Sequence, residues 1–411
     1  MINKKKILFL CQYFYPEYIS SATLPFDTAL ALSKAGFTVS VMSGYPKEYN
    51  LTKKAPSKET YKNIEISRLN YMQLKRSHLV GRIINYFSFT ASVALRFRYL
   101  KKFEAIIVYS NPPILPFIAA MANKIFNTKV IFVSYDVYPE IAYFTNTISE
   151  ASVISKLMRR VNKSVFKHVN RVVVLSNEMK AFLLKHRTAL SEQQIVVIPN
   201  WYEDKKCSNF TKIPANEQLK CIKKDENLIV SYFGNMGICQ EMEPIIEAMR
   251  QLKENQNIQF LFAGHGNKMD HLKSIVETEH LKNVHVFDFL HGQDFQDALH
   301  ISDCFIVSLA DELTGLAVPS KTYSYMMASK PVIAIIGPDS DIARDLIDYQ
   351  AGYAMQAKDG SKLVNVIEEL LHDQVKREWM GENCRTLYLE KYTREKCTVE
   401  YVNLMQNLLG E

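Results

Sequence analysis

Val318-Pro-Ser-Lys-Thr-Tyr-Ser-Tyr-Met-Met-Ala-Ser-Lys-Pro-Val-Ile-Ala334 reads as a phosphate-reaching loop, one short helix and a buried strand in immediate succession. Pro319 fixes φ where a helix would begin, and Ser320 offers a hydroxyl N-cap. Lys321 in the first turn can extend its ammonium to an anion held beside the helix N-terminus. The apolar run Val332 to Ile336 predicts a strand covered on both faces. Many capped helices carry an exposed lysine in the same place, so the surroundings of this stretch must decide between the two readings.

Working outward, the second half of the chain repeats the pattern. Strands are predicted at Leu228 to Phe233, Ile258 to Ala263, Val284 to Phe289, Cys304 to Leu309 and Pro331 to Ile336, with helices starting near Met242, Met269, Asp294 and Ser320. The first half does the same. Ile7 to Cys11, a helix from Ala22 to Lys34 stopped by Gly36, and Phe37 to Met42 make a βαβ unit. Further strands follow at Ala105 to Tyr109, Lys129 to Val133, Arg171 to Leu175 and Ile195 to Ile198. The polar, aperiodic stretch Tyr202 to Asn227 is the expected linker. The fold class is therefore α/β, with two doubly wound parallel-sheet domains in tandem and a cleft expected between them. Residues 1–200 form the first and 201–385 the second, and a terminal helix from about 386 to 411 is expected to return to the first.

Composition agrees with two globular domains: 411 residues, 47% of them apolar and 23% charged. The net charge of +7 conceals two opposite halves. Residues 1–200 hold 28 Lys and Arg against 11 Asp and Glu, and the remainder holds 22 against 32. A basic first half calls for an anionic partner, whether nucleic acid, membrane or phosphorylated substrate, or is simply a solvated basic surface. Seven cysteines without a C-x-x-C pair point to reduced thiols and a cytoplasmic protein. Lys4-Lys5-Lys6 followed by only five apolar residues is too short for a signal peptide and reads as a first strand.

Doubly wound sheets bind ligands at the carboxyl ends of their strands, so the loops there are where chemistry is sought. In the second half these are Gly234-Asn-Met-Gly237, Gly264-His-Gly266, Leu290-His-Gly292 and Ala310 to Val318. Glycine in these loops permits close backbone approach and suits amides gripping a diphosphate, although each could be only a tight turn. None completes G-x-G-x-x-G, so a nicotinamide cofactor is not expected, and no other cofactor is.

These residues, taken together, resemble glycosyltransferase family 4, and within it the branch of bacterial surface-polysaccharide assembly. Gln12-Tyr-Phe-Tyr-Pro-Glu17 is similar to that branch's opening Q-Y-F-x-P-E, Ser110-Asn-Pro-Pro113 to its S-x-P-P, Asp136-Val-Tyr-Pro-Glu140 to its D-x-W-P-E and Ile198-Pro-Asn-Trp201 to its I-P-N-W. Phe233-Gly-Asn-Met-Gly237, Ala263-Gly-His-Gly266 and Val318-Pro-Ser-Lys321 continue in the family's order. The resemblance implies two Rossmann-like domains facing across a cleft, the GT-B arrangement. It implies a retaining, metal-independent transfer of a hexosyl or N-acetylhexosaminyl group from a nucleotide diphosphate sugar, first of all a uridine diphosphate sugar, to a glycan or polyprenyl-linked acceptor.

By the same resemblance the donor would lie against Gly234, Asn235, Gly237, Gly264, His265, Gly266, Phe289, Leu290, Val318, Pro319, Ser320, Lys321 and Ser324. The acceptor would lie against Ser20, Ser21, Asp136 and Glu140. Lys321 would stabilise the departing diphosphate and Asp136 would polarise an acceptor hydroxyl. The chain departs from the family at several places. Leu316 and Ser324 stand where paired glutamates are usual, Ile238-Cys-Gln-Glu241 where a basic residue is, Ser20-Ser21 for a glycine pair, and Ser329 for the glycine after the helix. Those departures keep open a non-catalytic partner that stabilises an active transferase. A sugar-nucleotide epimerase on the same plan is the third reading.

Two further signals weigh on partners. Asp339-Ser-Asp341 mimics a metal-binding D-x-D but opens a helix, where capping is expected, and the ten histidines lack zinc spacing, so no metal is expected. Residues 75–102 flank an apolar segment with Lys75, Arg76, Arg82, Arg96, Arg98, Lys101 and Lys102. The segment is too short to span a bilayer and suits an interfacial helix on anionic lipid, or a core helix with solvated ends. Peripheral attachment to the inner face of the cell membrane follows as an expectation. Nucleic acid is not expected, since aromatic and basic residues do not interleave as in its binding modules.

Overall fold

The computed structural model describes residues 4–46, 55–74, 79–204, 216–224 and 226–410. It divides into two units, the first comprising residues 1–200, 315–317 and 395–411 and the second residues 201–314 and 318–394. Lys75 and Arg76 of the basic segment, Cys207, and residues 205–215 and 225 of the predicted linker lie outside the described residues.

Unit 1 is built in chain order from β1 (Lys6–Leu10), α1 (Ser20–Lys34), β2 (Thr38–Gly44), β3 (Lys58–Tyr61), β4 (Ile64–Leu69), α2 (Leu79–Ala94), β5 (Ala105–Tyr109), α3 (Leu115–Phe126) and β6 (Lys129–Ser134). It continues through α4 (Glu140–Phe144), α5 (Val153–His168), β7 (Arg171–Val174), α6 (Asn177–His186) and β8 (Ile195–Val197). Its sheet runs β3-β4-β2-β1-β5-β6-β7-β8, parallel except that β3 is antiparallel to β4. Chain order reverses between β1 and β5, so the carboxyl ends of those strands flank the expected ligand position. Ile7, Leu8, Phe9 and Ile106 to Val108 are fully buried, as central parallel strands covered on both faces require.

Unit 2 holds α7 (Glu217–Ile222), β9 (Leu228–Asn235), α8 (Glu243–Gln251), β10 (Ile258–His265), α9 (Met269–Thr278), β11 (Val284–Asp288), α10 (Gly292–Ile301) and β12 (Cys304–Ser308). After these come α11 (Thr322–Met327), β13 (Val332–Ile335), α12 (Asp341–Asp348), β14 (Gly352–Met355), α13 (Gly360–His372) and α14 (Gln374–Leu387). The sheet is wholly parallel in the order β11-β10-β9-β12-β13-β14, with its reversal between β9 and β12. One continuous core joins Val230, Phe260, Phe262 and Ile306 of the strands to Ile245 and Met249 of α8 and to Leu363 and Ile367 of α13. The last helix, α15 (Arg394–Leu409), belongs to unit 1 from residue 395, where Tyr401 is buried close to Tyr109.

Several local expectations need correction. Ser320 does not cap the short helix: α11 starts at Thr322 with Lys321 in the N-cap position, and no side chain caps it. The Asp339-Ser-Asp341 run does open a helix, but Ser340 is the cap, its Oγ accepting from the Ala343 amide at 3.2 Å. The segment read as linker contains α7, capped by Asn216 through the amides of Gln218 and Leu219. The β3–β4 hairpin was missed; its turn is Lys62-Asn63, with φ of 49° and 64°, the double positive pair that a tight hairpin needs. Of the described cysteines four are buried, Cys239 is half-buried and Cys221 is exposed.

Candidate active site

In unit 2 the predicted donor residues gather around the carboxyl ends of β9, β10 and β11 and the start of α11. The glycines fit one another as closely as they could fit a ligand. A Cβ on Gly264 would lie 1.8 Å from the Gly234 carbonyl oxygen, and one on Gly266 2.3 Å from the Met236 carbonyl oxygen. A Cβ on Gly234 would fall 2.2 Å from Lys321 Cε. Gly234 also has φ of +127°, a conformation that side-chain-bearing residues avoid. The bare Cα of Gly234 is thus the floor over which the Lys321 side chain runs.

Lys321 is partly buried and its ammonium has no hydrogen-bond acceptor among the described residues; burial holds its pKa below the ordinary lysine value. A cation kept without a partner in a semi-dry site is disfavoured until an anion arrives. His265, beside it, is lowered by burial and then by the Lys321 charge. Its ring lies 5.5 Å from that of Phe289, which lies 4.6 Å from His291, an exposed aromatic row at the ends of β10 and β11. Leu290, between the last two, is half-buried.

Two of the amides expected to grip a diphosphate are already engaged. Met236 N donates to the His265 carbonyl at 2.7 Å and Gly237 N to Gln240 Oε1 at 2.9 Å. Asn235 Nδ2 also donates to Gln240 Oε1, at 3.3 Å. In contrast, the amides of Ser320 and Lys321 have no backbone acceptor among the described residues, which puts two free donors next to the ammonium. Val318 and Pro319 are half-buried on the way into this turn. Ser324 is only 2% exposed, and its hydroxyl donates back to the Lys321 carbonyl at 2.7 Å. Leu316 is likewise buried.

The residue that sequence reasoning missed is Tyr325. Fully buried, its hydroxyl accepts from Phe233 N at 2.8 Å and donates to Phe233 O at 2.9 Å, while its ring stacks on Phe305 at 4.2 Å. This one side chain ties α11 to the last residue before Gly234 and so sets the distance between Lys321 and the glycine floor. An aromatic three residues into a short helix looks like ordinary core, so no sequence signal distinguishes it.

In unit 1, Asp136 follows β6 and lines a pocket with Ser110, Pro113, Phe132, Ser134, Asn162 and Phe166 among others. Its carboxylate has no hydrogen-bond partner among the described residues, and burial pushes its pKa up to about 6. Ser110 Oγ accepts from the amides of Tyr135 at 3.1 Å and Asp136 at 3.4 Å. Glu140, expected at the acceptor, is instead held by Arg187 at 2.6 Å, which also donates to the Tyr138 carbonyl. Ser20 and Ser21 begin α1, Ser20 exposed and Ser21 half-buried; Ile19 is at the N-cap and no side chain caps the helix. No cluster of three metal-ligating side chains occurs among the described residues.

Comparison with known proteins follows the same division. Residues 22–206 match the family model "Glycosyltransferase Family 4", and residues 216–387 match "Glycosyl transferases group 1". The chain is 24% identical over 339 residues to a probable glycosyltransferase, WbjE, of Pseudomonas aeruginosa, covering 81% of each chain. In structure it resembles WaaG, a glycosyltransferase involved in lipopolysaccharide biosynthesis, with a TM-score of 0.69 over 97% of this chain and 99% of that one, at 15% identity. HepE of Anabaena, solved in complex with UDP and glucose, superposes with a TM-score of 0.69 over 98% of this chain and 100% of that one, also at 15% identity. Matched by the two models over most of its length and sharing the GT-B fold, the chain belongs to the glycosyltransferases of the group 1 and family 4 type.

Proposed function

We propose that this glycosyltransferase takes a hexosyl or N-acetylhexosaminyl group from a uridine diphosphate sugar and places it, with retention and without a metal, on a growing polyprenyl-linked cell-surface glycan. The observation that carries the reading is the unpartnered Lys321 ammonium on the Gly234 floor, with the free amides of Ser320 and Lys321 beside it. Charge develops on the leaving diphosphate during transfer, and donors fixed in advance at that position lower the barrier without reorganising. The aromatic row of His265, Phe289 and His291 offers a stacking face for a base. HepE, which shares the fold, was solved with UDP and glucose. Asp136, ionised above its raised pKa, is the group proposed to accept a hydrogen bond from the acceptor hydroxyl in unit 1.

Calorimetry with UDP-sugars tests the donor half. Binding is expected for the wild-type chain and is expected to fall at least tenfold in Lys321→Ala, since a charge-assisted contact to phosphate is lost. A panel of nucleotide sugars that all fail to bind would overturn the reading.

Attachment to an anionic membrane is proposed through unit 1. Along α2 the side chains of Val80, Ile83 and Phe87 are exposed, followed by Leu95 at 85% exposure, with Arg82, Arg96 and Arg98 around them. On α5, Val153, Ile154 and Leu157 are exposed among Lys156, Arg159, Arg160 and Lys163. Exposed apolar residues ringed by cations suit a surface of anionic lipid. No helix among the described residues is long and apolar enough to cross a membrane. A cytoplasmic enzyme peripheral to the inner leaflet is the corresponding placement.

A second reading, a non-catalytic partner of an active transferase, is favoured by Ser324, whose hydroxyl is engaged inside its own helix. Turnover by the isolated chain would exclude it.

A further inference from the structure

The pocket of unit 1 has a composition that the reaction alone does not explain. Phe132, Val165, Phe166 and Leu183, all buried, make its apolar side, and its polar members are Ser110, Ser134, Asp136, Tyr138 and Asn162, of which Ser134 already donates through its hydroxyl to the Asp136 carbonyl at 3.3 Å. Asp136 brings a carboxylate without a hydrogen-bond partner among the described residues, so it can only accept. Ser110 already accepts two backbone amides through its oxygen, at 3.1 and 3.4 Å, which leaves its own proton to donate. Asn162 commits one of its amide hydrogens to the Tyr138 carbonyl at 2.7 Å. Glu140 and Arg187 neutralise each other, so no cation faces Asp136 from that pair.

A group that satisfies all three features must offer a donor, an acceptor and a small apolar end within a few ångströms. A plain hydroxyl has no apolar end, and an ammonium has no acceptor. An acylamino group has each: its N–H meets a carboxylate oxygen, its carbonyl meets a hydroxyl proton, and its methyl enters an apolar hollow. We propose that this pocket recognises the acylamino group of an N-acetylated acceptor sugar, with Asp136 taking the N–H, Ser110 donating to the acyl oxygen and the methyl seated among Phe132, Val165, Phe166 and Leu183. The second oxygen of Asp136 then faces a hydroxyl on the neighbouring ring carbon, the hydroxyl that receives the transferred sugar. The inference rests on the reading of unit 1 as the acceptor-binding unit.

The test uses the full chain and two probes, methyl 2-acetamido-2-deoxy-β-glucopyranoside and methyl β-glucopyranoside, followed by saturation-transfer NMR and titration. The acetamido sugar is expected to bind about tenfold more tightly, as one charge-assisted hydrogen bond and a buried methyl imply, with its acetyl methyl receiving the strongest transfer. In Asp136→Ala the preference is expected to vanish, while UDP affinity, measured by calorimetry on the same sample, stays unchanged and reports that the chain is folded. Equal binding of both probes, binding of neither, or a preference that persists in Asp136→Ala overturns the inference. Loss of UDP binding in the wild-type chain with the acetamido preference intact would overturn the donor reading instead, so the two failures are distinct.

Discussion

Single residues in this protein act through what they leave unpaired. Asp136 has a folded-state pKa of about 6 against 3.8 for a free carboxyl, because burial penalises the anion. The neutral form is the one the fold prefers. Its contribution to stability is therefore fully present below pH 3.8 and is lost as pH rises through 6. Asp136→Asn, neutral throughout, is expected to stabilise the chain at pH 8 by about 3 kcal/mol, two pKa units at 1.36 kcal/mol each, and to change little at pH 4. Urea denaturation at the two pH values reads the difference directly. Lys321 is displaced the other way, its ammonium disfavoured by burial. A bound diphosphate would restore the charge, so nucleotide binding at alkaline pH is expected to take up a proton, and at acid pH none. Calorimetry in buffers of different ionisation enthalpy measures that uptake, and Lys321→Ala should abolish it. Ser329 occupies a left-handed position, φ +59°, just after α11, a conformation that glycine adopts without strain. Relief of that backbone conformation predicts that Ser329→Gly stabilises by about 1 kcal/mol, seen as a raised Tm with unchanged nucleotide affinity.

At the scale of elements, α11 matters most, and it is held from the side by Tyr325. Tyr325→Phe removes a hydroxyl that serves both the N–H and the C=O of Phe233, leaving two buried backbone groups without this partner. A loss of about 2–4 kcal/mol in stability is expected, together with weaker UDP binding, because Lys321 loses its fixed distance from Gly234. If stability fell while UDP affinity did not change, Tyr325 would be a packing residue only. The strands and helices that flank α11 were legible in advance, since an apolar run followed by a glycine loop is a local pattern. Tyr325 was not, because its partner lies 92 residues away and nothing near it in sequence names that partner. Ser320 was read as the cap from residue type alone. The helix begins two residues later, a shift within the usual uncertainty of helix ends.

For the whole molecule, the opposite charges of the two halves and the exposed apolar stripe of α2 bear on where the enzyme works. Phe87, 61% exposed, is the central member of that stripe. Phe87→Glu is expected to weaken co-sedimentation with anionic phosphatidylglycerol vesicles several-fold while leaving UDP binding intact, since the substitution removes an inserted ring and adds repulsion. Unchanged co-sedimentation would reject α2 as the contact. The sequence by itself determined the alternation of strands and helices, the two-domain α/β class, the order of the loops and the family resemblance that the comparisons bear out. Each of these follows from periodicity, turn residues and motif spacing, which are written along the chain. Only the tertiary structure decided that the glycine loops interlock with one another, that Ser324 faces its own helix, that Glu140 is taken by Arg187 and that the Asp136 carboxylate lines a pocket without a hydrogen-bond partner among the described residues. Those outcomes depend on which strands become neighbours and which buried groups find partners, and both are settled by packing between segments far apart in sequence.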